Sequence, residues 1–275
     1  MAQGERAEEI ARRTIADFGE QWSHYAENDG YYASQELLAD VFGPLLPVSA
    51  LAGVRAADVG SGTGRFARLM LEAGARHVLA VEPSQAVETL RRHLAPYGDR
   101  ATVQHGRGEE LPAGLDLDLV FSFGVLQFIP DPLPVVKAAH AALRPGGRFV
   151  FWVYGKEGVR VYAALVQALR AVTVRMPHPL LSGLCSVLNA CLDPYIFLCR
   201  RFPGLPLRAY AVNTLGRLER RHRKLVLYDQ LNPRYVRFYA REEVEALLRA
   251  GGFSHVELHH RHGYSWTAMG VKDPA

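Results

Sequence analysis

The chain has 275 residues, 49% of them hydrophobic, and its 32 lysines and arginines against 28 acids leave a formal net charge of +4. That length and apolar share suit one sizeable domain with an insertion and a large core. Its three cysteines, Cys185, Cys191 and Cys199, share one apolar stretch at a spacing that fits neither a disulfide framework nor a zinc site, so they read as small buried hydrophobes. Residues 1–20 are charged and lack the apolar core of a signal peptide, so a cytoplasmic location is expected.

From the N-terminus, residues 1–50 read as a helical cap containing Phe18-Gly19-Glu20-Gln21-Trp22, then His24, Tyr25, Tyr31 and Tyr32. A short apolar strand ends at Asp58 and opens into Gly60, Gly62 and Gly64 at alternate positions. An amphipathic helix follows from Arg65. A backbone without Cβ atoms lets a ligand press on the chain itself, and the helix N-terminus offers unpaired N–H groups. Residues 77–81 form a buried parallel strand with Glu82 at its C-terminal end, where such an architecture binds a ribose. Its two oxygens can accept both hydroxyls of one sugar.

Residues 101–105 read as a third strand, leading into Gly106-Arg107-Gly108-Glu109-Glu110-Leu111-Pro112. A fourth strand spans 117–122, followed by Gly124-Val125-Leu126-Gln127-Phe128-Ile129-Pro130-Asp131-Pro132. The fifth spans 149–154. Three helices are expected next, over 159–174, 180–198 (interrupted by Asn189 and Asp193-Pro194) and 209–227. Residues 241–250 form a last amphipathic helix, ended by Gly251-Gly252. A hairpin of strands 255–259 and 265–271 turns around Gly263.

Spacing separates two ligand classes for the glycine loop. A dinucleotide loop wants G-x-G-x-x-G, and Arg65 occupies its third glycine. The observed D-x-G-x-G-x-G resembles the first motif of class I S-adenosylmethionine-dependent methyltransferases. The segments after the third and fourth strands resemble that family too, with Arg107 in place of an aspartate and Phe128 in place of a histidine. The resemblance implies an α/β, Rossmann-like sheet of seven strands with an antiparallel last strand, helices on both faces and a helical insert after strand five. It divides the chain into a cap (1–50), a cofactor-binding core (51–155), an insert (156–235) and a closing helix and hairpin (236–275).

It also implies S-adenosylmethionine as cofactor and S-adenosylhomocysteine as product. The positions matched to cofactor binding are Asp58, Gly60, Ser61, Gly62, Gly64, Glu82, Pro83, Glu109, Ser122 and Phe123. Arginine donates and cannot accept, so at Arg107 the adenine contact is lost, moved or made by backbone, with Glu109 as a substitute.

Residues 156–224 carry twelve lysines and arginines and three acids, a charge of +9, which leaves −5 for the rest of the chain. Such asymmetry points to an anionic partner. One reading of the insert is a lid over the site. Another is an interfacial element on anionic lipid, with Arg200, Arg201 and the 217–224 cluster facing headgroups, peripheral on the inner face of the membrane. A span is disfavoured by Asp193-Pro194 and the basic flanks. No RNA-binding module accompanies the basic residues, so nucleic acid is not expected.

A sulfonium methyl leaves by in-line displacement, so positioning the nucleophile supplies much of the rate. A base is needed only for a protonated acceptor. No cluster at metal spacing is present. The substrate-side candidates are Trp22, Tyr25, Tyr31, Tyr32, Trp152 and Tyr154. His24 is the first choice for a base and Asp229 the second, whereas residues 259–262 are assigned to the hairpin, away from the cofactor mouth. The expected function is methyl transfer to a small or lipid-linked acceptor, at oxygen, on a sugar or natural-product scaffold. The alternatives are a non-catalytic cofactor-binding subunit and an N- or C-methyltransferase. An NAD-dependent oxidoreductase, disfavoured by Arg65, and an RNA methyltransferase rank below them.

Overall fold

The apolar runs form one seven-stranded sheet in the computed structural model, which describes residues 3–274. Strands β1 (Arg55–Val59), β2 (His77–Glu82), β3 (Ala101–His105), β4 (Leu117–Phe123), β5 (Leu143–Tyr154), β6 (His255–Arg261) and β7 (Ser265–Val271) lie in the order β3-β2-β1-β4-β5-β7-β6. The first five are parallel, and β7 runs antiparallel to both its neighbours. Strand order reverses between β1 and β4, so the crevice beyond their carboxyl ends is the natural ligand position. β5 begins six residues earlier than the sequence suggests, with a register shift opposite Leu117 and Leu119.

Strand alternation splits the core cleanly. On one face Ala56, Ala80, Phe121 and Val150 pack under α2 (Gln35–Phe42) and α3 (Arg65–Glu72). On the other, Ala57, Val120, Phe149 and Phe151 meet α5 (Leu133–Ala142) and α10 (Arg241–Ala250). The remaining helices are α1 (Gln3–His24), α4 (Val87–Leu94), α6 (Arg160–Thr173), α7 (His178–Arg201), the single turn α8 (Arg208–Tyr210) and α9 (Arg220–Leu231).

The insert differs from expectation in two places. α7 runs unbroken through Pro194, although proline removes the donor for the Ala190 carbonyl. Side-chain ties hold it there: Asp193 accepts from Arg220 and Arg223, each at 2.6 Å, and Asn189 donates to the Arg220 carbonyl at 2.7 Å. The helix expected over 209–227 is broken. Residues 211–215 form a π turn closed by Gly216 N–H on the Ala211 carbonyl, and extended Glu219 precedes α9. Cys185 and Cys199 are buried as expected, but Cys191 is exposed.

The hairpin is fastened to the N-terminal region by charge. Arg261, 2% exposed, donates through Nε to Asp40 of α2 at 3.0 Å and also meets the Tyr264 hydroxyl. His262 Nε2 lies 2.8 Å from the other Asp40 oxygen. Asp40→Ala therefore strands a buried guanidinium, and breaking one side of a buried pair costs ~3–5 kcal/mol. Asp40 is itself partly exposed, so the low end of that range is expected as a lower urea midpoint. An unchanged midpoint would show that Tyr264 alone satisfies Arg261.

Candidate functional site

The glycine loop is bolted to β2. Gly60 and Ser61 donate their N–H groups to the Val81 carbonyl at 2.8 and 3.1 Å. Gly60 has φ +74°, and a Cβ there would lie 2.4 Å from Val125 Cγ2, so glycine is needed for packing as well as conformation. Glu82, 5% exposed, accepts from Gly62 N–H at 2.8 Å on Oε2, and from Ser84 N–H at 2.9 Å and its hydroxyl at 2.5 Å on Oε1. A carboxylate offers about four acceptor positions, so this one is held rigid with acceptor capacity left over.

Beside it opens a cleft of about 150 Å³. Val59, Gly60, Glu82, Pro83, Gly108, Glu109, Phe123 and Val125 line its sheet side, and α1 closes it with Ala11, Thr14, Ile15, Phe18 and Trp22. The buried Thr14 Oγ1 has no partner among the described residues. Arg107 does not face a base edge alone: it grips Glu8 of α1 with both terminal nitrogens, at 2.9 and 2.5 Å. Apolar walls, a fixed carboxylate and an orphaned hydroxyl suit a nucleoside with a sugar diol.

The other residues matched to cofactor binding sit behind the cleft. Asp58 accepts from the Ala67 N–H, and burial pushes its carboxyl up to about 7. Ser61 Oγ donates to the Asp58 carbonyl at 2.8 Å, and Ser122 Oγ to the Val59 carbonyl at 3.0 Å. Gly64 is the N-cap of α3. Asp58, Ser61, Gly64 and Ser122 thus brace the loop and do not line the cleft. Gly62 backs onto Trp22, whose indole would lie 3.2 Å from a Cβ there.

A second cavity, of about 110 Å³, adjoins the first across Phe18, Trp22, Phe123, Gly124 and Phe128, which line both. Its walls are aromatic: Tyr32, Trp152, Tyr154, Tyr210 and Tyr264 face in, and Trp152 stacks on Phe123 at 4.6 Å. Its polar lining includes Arg65, Asp229, Gln127 and Thr214. The Arg65 guanidinium lies 3.7 Å above the Tyr32 ring. Asp229 Oδ1 accepts from Gln21 Nε2, and burial pushes its carboxyl up to about 7 against that bond and the Arg65 charge. The fully buried Gln127 amide and the Thr214 hydroxyl lack partners among the described residues.

Among the substrate-side candidates, Trp22, Tyr32, Trp152 and Tyr154 line this inner cavity, as does Asp229. Three positions need correction. His24 is exposed and stacks on His178 at 3.8 Å. Tyr25 packs on Tyr228 and His178. Tyr31 lies under the Arg217 guanidinium at 4.0 Å. All three line neither cavity. Conversely, Arg261 does reach the inner cavity, because the hairpin folds back against α2. Sequence reasoning missed Phe18, Arg65 and Gln127. The first was readable, since Ala11, Ile15, Phe18 and Trp22 repeat at helical spacing on one face.

Asp29, Glu219 and His222 bring possible ligand atoms within 4.8 Å of one another. Arg221 already pairs with both carboxylates, at 2.6 and 3.0 Å, so a protein cation already occupies their acceptor oxygens.

Residues 57–151 match the family model described as a methyltransferase domain. A ubiquinone biosynthesis O-methyltransferase of Aromatoleum aromaticum is 36% identical over 104 residues, 37% of this chain and 44% of that protein. A tRNA U34 carboxymethyltransferase of Hahella chejuensis is 39% identical over 106 residues, 38% of this chain and 33% of that protein. The chain thus spans less than half the length of either relative. In fold it is similar to Burkholderia thailandensis 1,6-didemethyltoxoflavin-N1-methyltransferase, solved with S-adenosylhomocysteine. The TM-score is 0.57 at 17% identity, covering 99% of this chain and 91% of that one. The similarity to known methyltransferases thus lies in the α/β core, over residues 57–151.

Proposed function

We propose that this protein methylates a hydroxyl of a small, flat acceptor held in the inner cavity, with Asp229 taking the hydroxyl proton. The observation that carries this reading is the pair of adjoining cavities. One has the fixed Glu82 carboxylate and the other a poised Asp229, with a shared aromatic wall between them.

Bound in the outer cleft, S-adenosylmethionine supplies a methyl group on a positive sulfonium. Glu82 would accept from a sugar hydroxyl at the acceptor position left on Oε2, and Thr14 Oγ1 is free to pair with a polar edge. Phe18, Trp22 and Phe128 exclude water where the two cavities meet. On the acceptor side, aromatic faces favour a planar ring, and Gln127 offers both a donor and an acceptor to orient it. Asp229 Oδ2 makes no hydrogen bond among the described residues, which leaves it free to accept a proton. A base near 7 is well matched to neutral pH. The name of the Aromatoleum aromaticum relative supports oxygen as the methylated atom. A flat ring suits these walls better than a sugar.

The test is S-adenosylhomocysteine release across a panel of hydroxylated aromatic acceptors. Cofactor binding without turnover on any of them would favour a non-catalytic partner subunit.

Two variants separate the halves of the site. Glu82→Ala is expected to weaken S-adenosylhomocysteine binding by about 1–3 kcal/mol in calorimetry, the worth of charge-assisted hydrogen bonds. Unchanged affinity would remove Glu82 from the site. Asp229→Asn should leave that affinity intact while lowering turnover by roughly 10²–10⁴-fold. In the parent protein, Asp229 must be deprotonated to act. The rate on a hydroxyl acceptor should therefore fall with one proton as pH drops below about 7, and a flat profile from pH 6 to 8 would rule out this base.

A further inference from the structure

The outward sides of α6 and α7 are inverted relative to an ordinary surface helix, whose apolar stripe faces the core. On α6, Val161, Leu165 and Val172 repeat at helical spacing and face outward, Val161 being 86% exposed. On α7 the outward positions include Leu180 (64%), Val187 (62%) and Phe197 (69%). Between His178 and Arg200 the helix carries one charged residue, Asp193, and that is turned inward onto Arg220 and Arg223.

Cations mark the ends of these apolar faces: Arg160 at the start of α6 and Arg175 two residues past its end, Arg200 and Arg201 on α7, all exposed. Among the described residues none of the four meets a carboxylate. Arg175 donates to the Ala171 carbonyl, Arg200 to the Gly216 carbonyl, and Arg201 sits over Phe202. The basic cluster singled out from sequence behaves oppositely. Arg217 pairs with Glu36, Arg220 and Arg223 with Asp193, and Arg221 with Glu27, Asp29 and Glu219. These four arginines are paired within the chain, so the expectation that they face headgroups is corrected.

We infer that α6 and α7 form an interfacial element that rests on an anionic lipid surface, apolar faces in the acyl boundary and the four arginines among the headgroups. α7 is the one helix among the described residues long and apolar enough to span a membrane. Its inner face, however, is fixed to the domain: Leu181 and Cys185 pack with Tyr228 and Leu231 of α9, and Cys199 joins the main core. It therefore lies on the bilayer and does not cross it. A second copy is the weaker occupant, because an isologous contact would bring two sets of unpaired arginines together. The proposal does not rest on the acceptor chemistry.

Flotation of the full chain with extruded vesicles tests it. Binding is expected with phosphatidylcholine–phosphatidylglycerol vesicles, and it should weaken with added salt and be at least about tenfold poorer with phosphatidylcholine alone. The double variants Val187→Glu with Phe197→Glu, and Arg200→Glu with Arg201→Glu, should each lower binding at least about tenfold while S-adenosylhomocysteine affinity stays unchanged. A readout on the unaltered chain guards against misfolded variants. A fluorophore on Cys191, the one exposed cysteine among the described residues, should shift to the blue on anionic vesicles only. No flotation, an unshifted Cys191 label, or membrane protein that survives a carbonate wash would overturn the inference. So would a dimer in sedimentation that the Val187 and Phe197 changes convert to monomer.

Discussion

A buried carboxylate with nothing to hold it is costly, and the donor half of this protein is built around meeting that demand at Glu82. Its partners are the N–H of Gly62 and the N–H and hydroxyl of Ser84. Those three bonds lock together the glycine loop, the end of β2 and the turn that follows. The same unit seats α1. Trp22 lies against Gly62, and a Cβ on Gly19 would touch Ser84 at 3.4 Å. α1 is then tied outward by Glu8 to Arg107 and by Gln21 to Asp229. Asp17 of the same helix accepts the Arg234 N–H at 3.0 Å. One helix thus spans core and insert, and both cavities exist only while it is in place.

The donor half was legible because its chemistry is local. Loop, helix and acidic strand end fall within thirty residues, and each carries its own signal of glycine spacing or apolar run. The inner cavity is assembled from pairs 208 and 221 residues apart, Gln21 with Asp229 and Arg261 with Asp40. No periodicity reports such contacts. His24 shows the cost of choosing a residue by type. It stands two residues beyond Trp22, about 200° further round the helix, so when Trp22 faces the cavity His24 must face away. Helical phase would have excluded it and pointed to Phe18.

Arg65 entered the argument as a missing glycine, a reason to set aside a dinucleotide. In the fold it is one of two cations, with Arg261, that line the inner cavity, stacked over Tyr32 and 4.4 Å from the Phe66 ring centroid. Its effect on Asp229 opposes that of burial. Desolvation alone would drive that carboxyl higher still. The Arg65 charge and the Gln21 bond hold it near 7. A residue that departs from one loop pattern therefore tunes the site in another, which spacing alone could not reveal.

α9 explains why the charge of the insert misled. It sends Val226, Asp229 and Gln230 into the inner cavity while Tyr228 and Leu231 pack on α7. From α6, Arg170 donates to the Gln230 carbonyl at 2.8 Å and Thr173 to the Leu231 carbonyl at 2.9 Å. A helix so enclosed must have its basic N-terminal turn neutralised, and Asp29, Glu219 and Asp193 do this. Net charge summed over the insert counts those arginines equally with Arg160 and Arg201, though only the second group is free to attract anything. The free charge lies where the apolar surface lies, on the two helices that α9 carries. A surface pressing on α6 and α7 would therefore bear directly on the helix that holds Asp229.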